Sequence, residues 1–200
     1  MHVLAVLCHP RRSSFSGAVA DRFADGVRAA GHTVEIADLH AEGFDPVFRV
    51  EDFAQFEGGP MPADVLAEQA RVERCDALCF VFPVWWYGMP AMLKGWLDRV
   101  WSNGWAYRWE HDPQGSLLRK RPCTFLCPVG ASPQLMARFG YDKALDHLWR
   151  SGVLGYCGVE PVRIELLLDA AFDTGTGVHD VHLATAYRAG QDIASDAGTR

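Results

Sequence analysis

The sequence predicts an α/β domain in which five parallel strands are wound with helices on both faces. Short apolar runs, too brief for helices, alternate with longer segments whose apolar residues recur every three or four positions. One run, DALCFVF (76–82), is apolar throughout, as a strand covered on both sheet faces must be. This alternation implies parallel pairing through right-handed crossovers. A length of 200 residues allows one domain with a full core, and no repeat or linker interrupts 1–200. A single domain is therefore expected.

The elements follow in order. HVLAVLC (2–8) is the first strand and stops before Pro10. Phe15, Val19, Phe23 and Val27 recur every four residues and mark one face of a helix from Ser14 to Ala30. Ser13 and Ser14 can cap its start, and Gly31 can end it. HTVEIADL (32–39) alternates as a second strand, and residues 40–61 form a long irregular stretch of the kind that is usually functional or folded on itself. Pro62 opens a helix bearing Val65, Leu66, Gln69 and Val72. After the strand at 76–82, Pro90 opens a third helix, PAMLKGWLDRVW. Residues 103–121 read as a polar and aromatic surface excursion. PCTFLCPVG (122–130) is the fourth strand, a helix spans roughly 134–154, PVRIELLL (161–168) is the fifth strand, and a last helix runs from about Val178 to Ala194.

Five strands in this arrangement favour the flavodoxin-like order 2-1-3-4-5, whose ligand crevice lies at the carboxyl ends of strands 1 and 3. Composition narrows the function. With 19 Lys and Arg against 25 Asp and Glu, the net charge of −6 argues against a nucleic-acid partner. No apolar run is long enough to span a membrane. The start MHVLAVLCHPRR reaches charge too soon for a secretory signal, so a cytoplasmic location is expected. Cys8, Cys75, Cys79, Cys123, Cys127 and Cys157 mostly fall in strand-like runs and read as buried free thiols, not as disulfides or a zinc set. His179 and His182, spaced i, i+3, read as a solvated helix face, and no metal site is expected.

Three loops at the predicted crevice are unusual. CHPRRSSFSGA places Ser13, Ser14 and Ser16 at a helix start beside Arg11 and Arg12, where free amides favour an anion. The loop is not a P-loop, and Ser14 stands where a cysteine phosphatase needs Arg. FPVWWYGMP sets Trp85, Trp86 and Tyr87 at a strand end, where alternation cannot send all three into the core. Pro128-Val129-Gly130-Ala131-Ser132 is small enough for its amides to approach a ligand closely. A planar ring between two loops, with phosphate on a helix start, describes a flavin nucleotide.

HP-x3-SF at 9–15, GHTVEIADLHAEGFDPVF at 31–48, FPVWWYGMPAMLKGWLDRVWSNGWAY at 82–107 and YCGVE at 156–160 together resemble the NAD(P)H:quinone oxidoreductase family of flavodoxin-like flavoenzymes, over roughly residues 2–168. The resemblance implies that His9, Ser14, Phe15 and Ser16 hold flavin phosphates, Ser16 standing where the family usually has Asn. It implies that Pro83, Val84, Trp85, Trp86 and Tyr87 lie along the isoalloxazine, and that Val129, Gly130 and Ala131 meet the ring's polar edge in place of Thr-Gly-Gly. Tyr107 matches a substrate-pocket Tyr delivered by a partner subunit. Met136 stands at the family's Tyr position and Asp142 near its His position, leaving Tyr141 as the substitute.

The implied activity is two-electron reduction of a quinone or similar planar acceptor by NAD(P)H, with FAD (alternatively FMN) as cofactor. Donor and acceptor use one pocket in turn, in ping-pong fashion. Tyr107, Gly130 and Tyr141 are the expected catalytic groups, and Trp96, Trp101, Trp105, Tyr107 and Trp109 suggest a homodimer interface. The alternatives are a flavodoxin-type electron carrier and a regulatory flavoprotein subunit of a membrane transporter.

Overall fold

The computed structural model describes residues 1–108, 116–171 and 177–195. Strand β1 (His2–Leu7) is followed by α1 (Phe15–Ala29), β2 (Thr33–Asp38) and a one-turn α2 (Ala54–Glu57). Then come α3 (Ala63–Arg74), β3 (Ala77–Val81), α4 (Ala91–Val100) and β4 (Cys123–Pro128). The chain closes with α5 (Pro133–Phe139), α6 (Tyr141–His147), β5 (Val162–Leu167) and α7 (Val178–Asp192). All strand pairs are parallel and the order is β2-β1-β3-β4-β5, as the sequence predicts.

Successive residues of β1 feed the two faces. Leu4 and Val6 join Leu78, Phe80, Phe125, Leu93, Trp96 and Trp149 in one core. Val3, Ala5 and Leu7 join Val19, Phe23, Val27, Ala186 and Ala189 of α1 and α7 in the other. β3 is buried at every position, which is why its sequence is unbroken by polar residues. β2 and β5 are edge strands and only partly buried. No helix among the described residues is long and apolar enough to cross a membrane.

Two expectations need correction. The helix predicted over 134–154 is broken at Gly140, whose φ of 70° ends α5 and starts α6, and Leu148–Leu154 continues as a π-helical turn. In α3, Val65, Glu68, Gln69 and Val72 are inside and Leu66 is exposed. Trp96 and Trp101 are core residues of their own chain, so they do not need a partner for burial. Trp109 lies outside the described residues.

The 40–61 stretch folds onto the domain. It carries a 3-10 turn at Val50–Phe53 and then α2. Arg99 of α4, nearly buried, binds Asp52 at 3.0 Å, Asp64 at 2.6 Å and the carbonyl of Asp45 at 2.7 Å. The Arg99 guanidinium holds the Asp64 carboxyl below its usual range. Gly95 admits this contact: a Cβ there would stand 2.1 Å from the Pro46 carbonyl oxygen.

Candidate functional site

The sheet delivers three loops to one edge because its ladders run past the strand ends. Cys8 N–H donates to Val81 O at 2.9 Å, Val84 N–H to Pro128 O at 2.9 Å, and Val129 N–H to Leu167 O at 2.9 Å. The loops after β1, β3 and β4 therefore leave the carboxyl edge at one level. Between the last two lies a cleft of about 230 Å³ lined by Val84, Trp86, Tyr87, Val129, Gly130 and Ala131.

The Trp85–Gly88 turn closes with reciprocal bonds, Trp85 N–H to Gly88 O at 3.1 Å and Gly88 N–H to Trp85 O at 3.0 Å. Its central residues, Trp86 and Tyr87, have φ of 50° and 55°. Such turns favour Asn and Gly. Two aromatics held there cost of order 1–3 kcal/mol each, a strain that concentrates at functional sites. Trp86 is 98% exposed, so burial does not repay this cost. Tyr141 packs against Tyr87 with ring centroids 4.0 Å apart, and Phe139 stacks behind Tyr141 at 5.5 Å. Met136 is buried in the core and cannot reach the cleft.

The first loop stands beside this turn: the His9 and Trp85 rings are 6.1 Å apart. His9 Nδ1 lies 3.0 Å from both the N–H and the carbonyl oxygen of Arg11, which ties the ring to its own loop. Partial burial lowers the His9 pKa below its usual 6.5. Ser14 caps α1, its hydroxyl accepting from Gly17 N–H at 3.2 Å. Phe15 and Ser16 open the helix, so their amides lack an intrahelical acceptor. Gly17 lets the loop fold tightly over that end, because a Cβ would lie 2.0 Å from Arg12 O. Arg12 is tied to Asp21 and, at 3.8 Å, to Asp38.

The third loop is pinned from β5's side: Ala170 N–H donates to Val129 O at 2.9 Å and Asp169 N–H to Ala131 O at 3.1 Å. The Gly130 and Ala131 amides have no acceptor among the described residues. A Cβ at Gly130 would stand 3.1 Å from the Ala171 Cβ, so a side chain there would crowd the loop. These features fit a flavin nucleotide. The α1 amino end suits phosphate, the strained aromatic turn suits a planar ring, and the free amides suit the ring's polar edge.

Most predicted site residues thus converge on this edge: His9, Ser14, Phe15, Ser16, Pro83, Val84, Trp85, Trp86, Tyr87, Val129, Gly130, Ala131 and Tyr141. Tyr107 does not. It bridges to Asn103 and Ser116, and Ser116 packs on Gly158, before the start of β5. That is the amino edge of the sheet, about 20 Å from the cleft if one strand length separates them. Its hydroxyl is pushed up by burial and packs near Tyr156. Sequence reasoning also missed two residues. His179 stacks on Phe15 at 3.9 Å, and His182 Nε2 lies 2.7 Å from Leu168 O, so neither belongs to a purely solvated face.

Comparison with known proteins supports this geometry. Residues 1–188 match the flavodoxin-like fold family. An uncharacterized NAD(P)H oxidoreductase of Haemophilus influenzae is 34% identical over 84% of each chain. The quinone-type NAD(P)H dehydrogenase 1 of Cavia porcellus is 27% identical over 82% of this chain, which spans only 66% of that relative. Among solved structures, an NAD(P)H:quinone oxidoreductase from Methanothermobacter marburgensis superposes with a TM-score of 0.88 at 34% identity, covering 96% of each chain. An FMN-dependent NADH-azoreductase of Bacillus anthracis, solved with FMN, shares the fold at 16% identity and a TM-score of 0.73.

Proposed function

Since the chain belongs to the flavodoxin-like NAD(P)H:quinone oxidoreductase family, we propose that it reduces quinones or similar planar acceptors with NAD(P)H. The carrying observation is the cleft at the carboxyl edge, where a strained aromatic turn faces a loop with free amides. A flavin, when bound, supplies the acceptance and return of a hydride.

The chain's own residues bind and orient. The amides opening α1, with Ser14 and His9, hold phosphate. Trp86 and Tyr87 align planar substrates by stacking. The Gly130 and Ala131 amides are available to donate to the ring's polar edge, where they favour negative charge. Tyr141 takes the position beside the cleft that Met136 cannot, and its hydroxyl is the group we assign to that charge. No side-chain nucleophile is required.

FAD is the cofactor in this reading, with FMN the alternative. The amino ends of α1 and α7 stand together, which supports binding more than one phosphate. A homodimer completes the site. Phe48, Phe53 and Phe56 form an exposed apolar cluster on the 40–61 stretch. Gln55 ties that stretch to Asn103, beside the turn bearing Tyr107, so one face presents all of them. Tyr107 then serves a partner's cleft.

The test is NAD(P)H consumption by protein reconstituted with FAD or FMN, against several quinones. Turnover no faster than with free flavin sinks the enzyme reading and leaves the electron carrier. Chromatography of the flavin released from purified protein decides between FAD and FMN.

A further inference from the structure

A second cavity, of about 490 Å³, opens at the other end of the sheet. Its walls come from Glu73 near the close of α3, the Gly104–Trp105 turn with Arg108, and Leu117, Leu118, Arg119 and Arg121 just ahead of β4. α3 ends and β3 and β4 begin here, so the cavity lies at the amino edge, opposite the cleft. Its volume suits a small ligand.

Its charges are unequally matched. Arg119 is paired with Asp76 at 3.4 Å, and Glu73 Oε1 accepts from Trp105 Nε1–H at 2.7 Å. Arg108 is exposed and has neither an ion pair nor a hydrogen bond among the described residues. Arg121 is only 4% exposed. Its Nε donates to Arg119 O at 3.2 Å, and its Nη1 to Val72 O and, at 2.9 Å, to Cys75 O. The two carbonyls at the end of α3 favour a cation, but they carry no counter-charge. Among the described residues Arg121 Nη2 has no acceptor, and no carboxylate pairs with this side chain. A buried guanidinium without an anion is costly, and an anion in the cavity it lines would remove that cost.

We propose that this cavity binds a small phosphate monoester, its oxygens on Arg108 and Arg121 and its organic body against Leu117 and Leu118. Two unpaired guanidiniums match the nearly dianionic charge of such an ester at neutral pH. Their planar forks suit phosphate oxygens better than a point charge does. The site stands at the opposite sheet edge from the cleft and does not depend on the flavin reading. A nucleoside monophosphate and a simple aryl ester bring the same chemistry on bodies of different size.

The experiment is calorimetric titration of the full-length protein with phenyl phosphate, AMP, inorganic phosphate and phenol. Phenyl phosphate should bind more tightly than inorganic phosphate, and phenol should not bind measurably. AMP binding more tightly than phenyl phosphate assigns a nucleotide, and AMP binding more weakly assigns a smaller ester. Arg121→Gln should weaken phenyl phosphate about tenfold to a hundredfold, the range for a hydrogen bond to a charged group. Arg108→Gln should weaken it about twofold to fivefold, as for an exposed ion pair. Melting temperatures show which variants stay folded, and the exposed Arg108 tests the site even if Arg121→Gln melts too low to titrate. Wild-type protein that binds neither ester overturns the proposal. So does phenol or inorganic phosphate binding as tightly as phenyl phosphate. A folded Arg108→Gln or Arg121→Gln variant with unchanged affinity also overturns it, because the anion then sits elsewhere, as at the start of α1.

Discussion

Replacing Trp86 separates what its backbone costs from what its ring does. The side chain is 98% exposed, so truncation to Ala surrenders almost no buried area. The flavin-free Ala variant should stay within about 0.5 kcal/mol of wild type. Gly acts differently. At φ 50° an L-residue pays roughly 1–2 kcal/mol for the left-handed conformation. Gly removes that cost but loses about 0.5–1 kcal/mol more chain entropy on folding. The net is a gain of up to about 1.5 kcal/mol, or at most about 3–6 °C in melting temperature at this chain length. Flavin affinity should move the other way in both variants. A lost ring contact is worth about 0.5–1.5 kcal/mol beyond area, roughly a twofold to tenfold loss. Thermal unfolding of the flavin-free proteins and fluorescence titration with flavin measure the two effects separately. An Ala variant melting more than about 4 °C below wild type would show that the ring is packed in solution. Unchanged flavin affinity in both variants would remove Trp86 from the cofactor wall.

Gly17→Ala should displace the 9–13 loop from α1, since its Cβ would lie 2.0 Å from Arg12 O. A destabilisation of about 1–3 kcal/mol is expected by calorimetry, with a larger loss of flavin. His9 has a lowered folded pKa, so the unfolded chain binds its proton first as pH falls below 6.5. Flavin-free stability should therefore drop as pH falls through the window below 6.5, and His9→Gln should flatten that slope in melting curves. Sedimentation at micromolar concentration should show a dimer and not a 22.2 kDa species. Mixed dimers of Tyr107→Ala subunits with Gly17→Ala subunits should regain no more activity than the parents if Tyr107 serves its own chain, but one intact site if it serves its partner's.

The sheet order was readable because each strand announces itself by its burial: an unbroken apolar run at β3, a thinner pattern at the edges. The cleft loops were readable because three adjacent aromatics at 85–87 cannot all enter a core. Other features left weaker signals. An isolated Gly such as Gly140 is tolerated inside a helical pattern, so the sequence predicts one helix where two stand. The i, i+3 pair His179 and His182 has the spacing of a solvated face, and only the parallel seating of α7 on α1 turns it inward. Trp96 and Trp101 look surplus in one chain, yet edge-to-face packing with Phe80 absorbs them. Close approaches such as Gly95 against Pro46 depend on tertiary position and leave no mark in sequence.

The six cysteines have a chemical consequence under the proposed quinone chemistry. Quinone rings are electrophiles that add thiolates, and the thiolate is the reactive form of cysteine. All six thiols are free and buried. Burial pushes Cys8 up to about 11 and Cys157 up to about 12, and raises Cys79, Cys123 and Cys127 well above the ordinary value. At neutral pH about one Cys8 in ten thousand is then ionised. Cys8 matters most, because it directly follows β1 at the edge that carries the cleft. The folded chain is thereby shielded from arylation by its own substrates, and inactivation by a quinone should track the rate of unfolding, not the rate of turnover.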